Sequence, residues 1–298
     1  MAPPLLLAVP NVSEGRDSAQ VAALESAFAH GVSLLDRHAD TDHNRAVFTI
    51  AGDPNALIEA LLCGARRAIE SIDMKAHTGV HPAIGALDVC PFVWLDPAGR
   101  DAAIAAAKAM AGQIGELGVP ALLYGALASS PDRVERAYFR NGGLAELALR
   151  MESGELLPDA GPAMPHSSAG ATLITARPPL AAFNVELGGG DLDLARSVAA
   201  SLREAGGGLS GVRAIGLPLA SGRAQISTNV HDPLGTPLAA VVERVRELAK
   251  PLGERPVEAE IVGLVPEKAL AGFPGDVPIR DFDPELQTIE RRLAASSD

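Results

Sequence analysis

The sequence predicts an α/β (α+β) chain of two ferredoxin-like βαββαβ sandwiches with a ligand groove between them. Three observations carry this. Short apolar, strand-like runs alternate with longer stretches of helical period. The order strand-helix-strand-strand-helix-strand occurs twice. A stretch rich in proline and glycine, residues 153–168, separates the two occurrences and reads as a linker. The 298 residues suffice for two domains of ordinary size.

In the first occurrence, Leu5 to Val9 is a buried strand ended by Pro10, and Asn11 to Arg16 a polar loop. A helix follows from Asp17, with Val21, Leu24 and Phe28 on one face and Gly31 beyond its end. Val32–Asp36 and Arg45–Ile50 make a hairpin across a polar connection. Asp53 as N-cap and Pro54 in the first turn open the second helix, whose Leu57, Leu61, Ala65 and Ala68 share a face. Ala86–Trp94 is the fourth strand. Beyond it lie a helix over 101–117, a strand over 119–123 and a less regular helical stretch over 131–152. The second occurrence runs through a strand at 180–187, a helix from 191 to 204, a hairpin of 212–219 with 225–230, a helix at 237–248 and a strand at 257–262. A closing helix covers 283–293.

Composition narrows the function classes. A net charge of −12 argues against a general nucleic-acid or membrane-surface role, since phosphate binding needs a basic face. An anionic small molecule remains compatible, because one or two placed arginines hold it. Cys63 and Cys90 are the two cysteines, both in apolar surroundings, so no disulfide framework is expected. The opening Met1–Pro10 lacks the basic and long apolar regions of a signal peptide, and no run reaches membrane-spanning length. The expectation is a cytoplasmic protein.

Polar residues with chemical capacity gather in few places. His77-Thr-Gly-Val-His81-Pro82 cannot be helical, because Gly79 and Pro82 break it, so both histidines sit on a loop. Three readings stay open there: a metal pair, turn-bracing histidines, or His81 as a general acid/base. Asp36, His38, Asp40, Asp42, His43 and Arg45 crowd the first hairpin; Asp36 or Asp40 would orient the His81 ring, and Arg45 would hold a carboxylate bidentately. Gln225 to Asn229 suits amide hydrogen bonding to a heterocycle, and equally an exposed strand face.

Taken in order, several segments resemble the glutamate formiminotransferase family. Val9-Pro10-Asn11-Val12-Ser13-Glu14-Gly15-Arg16 is similar to the family's opening VPNFSEGR. Leu34-Leu35-Asp36 with Asn44-Arg45, and His81-Pro82 followed by Gly85-Ala86-Leu87-Asp88-Val89-Cys90-Pro91-Phe92, continue the resemblance. So do Gly170-Ala171-Thr172, Gln225–Asn229 and Val262-Gly263-Leu264-Val265-Pro266.

The resemblance implies an N-terminal formiminotransferase subdomain over 1–169 and a C-terminal one over 170–298. It implies transfer of a formimino group from N-formimino-L-glutamate to tetrahydrofolate, the folate-dependent step of histidine breakdown. His81 is then the catalytic histidine, with Asp36 and Asp40 beside it. Gly161, Pro162, Ser167, Ser168, Ala169, Gly170 and Asn229 bind tetrahydrofolate as co-substrate, and Arg45 and Arg177 take the carboxylates of the glutamate moieties. No metal is expected, and the partners are small molecules and a second copy in a homodimer. Val80 and Ala83 stand where the family carries Glu and Arg, and His38 where it carries Asp. A folate-binding homologue without catalysis, or an enzyme using another formimino or formyl donor, is the alternative.

Overall fold

The computed structural model describes residues 3–296; Met1 and Ala2, with which the opening stretch begins, lie outside them. Two compact units divide the chain, Met1–Pro178 and Pro179–Asp298.

The first unit runs β1 (Leu6–Ala8), β2 (Asn11–Val12), α1 (Ser18–Phe28), β3 (Ser33–Asp40), β4 (Arg45–Gly52), α2 (Pro54–Ser71), β5 (Leu87–Trp94), α3 (Arg100–Glu116), β6 (Ala121–Leu123), α4 (Arg136–Arg140), α5 (Gly143–Glu152) and β7 (Thr172–Arg177). The expected first strand is thus two, interrupted at Pro10, and what reads as a polar loop supplies β2. Both pieces still lie between β4 and β5, antiparallel to each. Capping is as the sequence implies: Asp17 accepts from the N–H groups of Ala19 and Gln20, and Asp53 from Asn55 and Ala56, each satisfying first-turn donors.

Helices α1 to α3 cover one sheet face. Their core includes Leu24, Phe28, Phe48, Leu61, Phe92 and Met110, with Phe28 and Phe48 ring centroids 5.2 Å apart. Burying each such aromatic ring contributes about 1.5–3 kcal/mol. On the other face, Tyr124, Phe139, Leu147, Met151 and Leu156 pack on Val89, Leu122 and Leu173.

Residues 153–168 are not a linker. Ala121 N–H donates to Ala160 O at 3.0 Å, Leu123 N–H to the Asp159 carboxylate at 2.7 Å, and Arg133 pairs with Asp159. After this segment the chain forms β7, which pairs in parallel with both β5 and β6. The division between units therefore falls after Pro178, later than residue 169, because β7 is hydrogen-bonded into the first sheet.

The second unit runs β8 (Ala181–Leu187), α6 (Leu192–Leu202), β9 (Val212–Pro218), β10 (Ala224–Val230), α7 (Leu238–Ala249), β11 (Pro256–Val262), α8 (Pro284–Gln287) and α9 (Ile289–Ala295). Its sheet order is β11-β8-β10-β9, every neighbouring pair antiparallel. Phe183, Val185, Ile226 and Ile261 pack under Val198, Leu202, Val241 and Val245 of the two long helices. The closing helix is two pieces, parted at Thr288, which is extended with φ −107° and ψ 142°. Among the described residues no helix is long and apolar enough to cross a membrane.

Candidate active site

The site forms where the β3–β4 turn, the His77–Pro82 loop and α4 meet, all within the first unit. Strand β3 reaches Asp40, farther than the sequence suggests, and its register slips between Leu34 and Asp36. Arg37 points toward α1, where it pairs with Glu25 at 2.8 Å. By the two-residue period of a strand, Asp36, His38 and Asp40 project to the opposite face.

Asn44, left-handed at φ 48°, turns the hairpin. Its Oδ1 accepts from Gly15 N–H at 3.1 Å, and its Nδ2 donates to Thr78 O at 3.0 Å and lies 3.3 Å from His77 Nδ1. His77 therefore braces the loop. Gly79 is needed there because a Cβ would overlap the His43 carbonyl.

Asp40 is engaged by His43. Its Oδ1 accepts from the backbone N–H of His43 at 2.7 Å and from His43 Nδ1 at 2.9 Å. Burial raises its carboxyl, but the side-chain and backbone bonds from His43 outweigh this and hold it well below the usual range. The His43 ring is 6.0 Å from that of His81 between centroids. Asp36 lies opposite Thr49 in the ladder.

His81 is half-buried. Its Nδ1 is 3.0 Å from the Pro82 carbonyl, which can only accept, so Nδ1 carries the proton. Nε2 is then the basic atom, and it lies 3.4 Å from Arg45 Nη1. Burial, followed by Arg45, Arg140, Arg136 and His43, holds the ring well below the ordinary histidine value. It is a neutral base at physiological pH.

The arginines form a cationic cluster. Arg45, the first residue of β4, is brought down to about 10 by burial and by Arg140 and Arg136, and so remains charged at neutral pH. Arg140 pairs with Asp88, whose other oxygen accepts from Ile84 N–H at 2.8 Å, so one carboxylate ties α4 to the loop after His81. Arg136 lies 6.0 Å over the Tyr124 ring. Arg177 ends β7, donates to Pro178 O at 3.0 Å and is brought down to about 10, chiefly by burial.

The structure brings the 166–170 segment against the His81 loop. Ala86 N–H donates to Ala169 O at 2.9 Å, Ala171 N–H to Ile84 O at 2.9 Å, and Gly85 bridges Gly170. Ser168 O accepts from Met74 N–H at 2.8 Å, while Ser167 is exposed. Gly170 has φ 70°, and a Cβ there would overlap the Ile84 carbonyl. Gly170→Ala is therefore expected to lower stability by about 1–3 kcal/mol, read from the urea midpoint. Gly161 and Pro162 sit earlier, where Gly161 packs on Gly115 of α3 and on Val119. Asn229 belongs to the second unit, on β10 opposite Ala182 and Arg213.

Sequence reasoning missed Arg136 and Arg140. The only local signal was their i, i+4 spacing beside Phe139, which places two guanidiniums on one side of a short helix.

Residues 5–177 match the formiminotransferase domain, N-terminal subdomain, and residues 182–273 match the formiminotransferase domain. A glutamate formimidoyltransferase of Streptococcus pyogenes serotype M1 is 36% identical over 96% of this chain and 97% of its own. That of Thermoplasma acidophilum is 38% identical over 89% of each chain. The formimidoyltransferase-cyclodeaminase of Rattus norvegicus is 39% identical over 89% of this chain and 51% of its own. With both halves matched in order on either side of the β7–β8 connection, the chain belongs to the formiminotransferase family.

Proposed function

We propose that the protein transfers the formimino group of N-formimino-L-glutamate to N5 of tetrahydrofolate, with His81 as the acid/base. The observation that carries this reading is His81 Nε2 set 3.4 Å from the Arg45 guanidinium, with its loop strand-bonded to the 166–170 segment. That segment presents the exposed Ser167 to the folate, while the backbone of Ser168–Gly170 holds it against the His81 loop. Arg45, with Arg140 and Arg136, and Arg177 at the end of β7, offer forks for the carboxylates of the glutamate moieties. The βαββαβ order of the second unit, and of the first from β1 to β5 with β1 and β2 counted as one interrupted strand, supports reading both as ferredoxin-like sandwiches.

The chemistry follows from the base. The N5 lone pair attacks the amidine carbon, forming the N5–C bond and a tetrahedral adduct. His81 Nε2 takes the proton from N5 and passes it to the glutamate nitrogen, whose bond to carbon then breaks. One proton moves from N5 to the leaving amine, and no oxidant or covalent protein intermediate is required. Holding both reactants together supplies much of the rate. Asp40 acts on this centre through His43.

The test is a tetrahydrofolate-dependent assay with N-formimino-L-glutamate against N-formyl donors. Turnover confined to the formimino donor supports the reading; binding of a tetrahydrofolate analogue without turnover of any donor points to a homologue that has lost catalysis. The pH dependence has a definite sign. Because the His81 ring is held below the ordinary histidine value of 6.5, its base form persists into mild acid. The acid limb of kcat/KM is expected below pH 6.5, measured by initial rates across pH 4.5–8.

A further inference from the structure

The charges around His81 do not balance. Arg45 from β4, Arg136 and Arg140 from α4 and His43 from the β3–β4 turn all face the ring. Two carboxylates stand near Arg45, Asp88 from β5 and Asp40 from β3. Both are committed: Asp88 to Arg140 and Ile84 N–H, Asp40 to the His43 ring and backbone. Among the described residues Arg45 forms no ion pair, and its guanidinium bonds to His81 Nε2 at 3.4 Å. A proton arriving on Nε2 would therefore meet a guanidinium at hydrogen-bonding range. Yet transfer requires the ring to hold that proton between N5 and the leaving amine.

We infer that the donor's own carboxylate completes the acid–base machinery: seated on Arg45 beside Arg136 and Arg140, it gives His81 the negative neighbour that neither Asp88 nor Asp40, both committed elsewhere, supplies. The inference rests on the formimino-transfer reading and deepens it. The carboxylate recognises the donor and also lets the ring become imidazolium during turnover. An anion docked bidentately on Arg45 draws the guanidinium away from Nε2 and compensates its charge. An opposite charge within about 4–6 Å raises an imidazole by about 1–3 pH units. The free enzyme then keeps His81 as a base, and the bound donor converts it into a base that can also return a proton. A formamidine lacking a carboxylate is expected to lose kcat as well as affinity, and a separate free carboxylate to restore part of it.

The probe is glutarate, which has the two carboxylates of the donor and no amine to titrate. The His81 ring carbon resonance, assigned by its loss in His81→Asn, is followed against pH by NMR with and without saturating glutarate. The expected result is an upward shift of the midpoint by about 1–3 pH units. In Arg45→Gln the free midpoint is expected to start higher and to gain little from glutarate. Arg136→Gln is expected to show a smaller change of the same sign, which covers the case of an unfolded Arg45 variant. A midpoint unmoved by bound glutarate, or glutarate that fails to bind, overturns the inference. The wild-type transfer assay separates the two readings: transfer from N-formimino-L-glutamate with an unmoved His81 removes the inference alone. A glutarate-shifted His81 in a protein that turns over no formimino donor removes the transfer reading and leaves the anion-coupled histidine standing.

Discussion

His81→Asn is expected to fold, to bind tetrahydrofolate and to transfer the formimino group about 10²–10⁴-fold more slowly. Asparagine is the informative replacement because its amide N–H stands near where Nδ1 donates to the Pro82 carbonyl, while the Nε2 position is empty. The loop keeps its hydrogen bond and loses the base. The deficit belongs in kcat, measured in steady state with folate affinity checked by fluorescence quenching; a kcat within a few-fold of wild type would remove His81 from the mechanism. A second readout follows from linkage. The folded ring sits below the unfolded value of 6.5, so the unfolded chain binds the proton more readily. Wild-type stability therefore declines as pH falls below 6.5, and stops declining once the folded ring is protonated too. His81→Asn lacks that contribution, so its urea midpoint should fall less steeply between neutral and mildly acid pH.

What was legible in the sequence is what local chemistry determines. Asp53-Pro54 announces the start of α2, and the spacing of Leu57, Leu61, Ala65 and Ala68 announces its buried face, because cap and period are both short-range properties. The hairpins were legible for the same reason. Strand β7 was not. It pairs in parallel with β5 and β6, so no turn announces it, and it follows a proline- and glycine-rich stretch held by distant partners such as Ala121 and Arg133. The outer half of β3 was missed because polar residues occupy both of its faces, which resembles a loop. In the site, the sequence suggested Asp36 or Asp40 as neighbours of His81, and the fold sets Arg45 there, 3.4 Å from Nε2. Asp40, by contrast, takes the partner three residues away: a local bond to His43 costs less chain entropy than one reaching to His81. Arg140 was invisible, because its partner Asp88 lies on another element and only the fold joins them.

That pair carries the second large expectation. Arg140→Met should destabilise the protein by about 3–5 kcal/mol, since it leaves the Asp88 carboxylate buried without its cation. Asp88 is 2% exposed, so water cannot replace the guanidinium, and methionine matches the arginine stem in volume while offering no donor. Asp88→Asn in the same chain should recover part of the loss: the amide oxygen still accepts from Ile84 N–H, and no buried charge remains. Urea unfolding of the single and double variants measures both terms, and a loss below about 1 kcal/mol for Arg140→Met would mean that the pair is solvated as a surface bridge is. The function should move as well, in a direction that packing alone does not dictate. Arg140 is one of the cations that keep His81 unprotonated, so its removal raises the ring's proton affinity. The acid limb of kcat/KM should then shift to higher pH in Arg140→Met, whereas a variant that merely loosened the loop would lower the rate across the whole pH range.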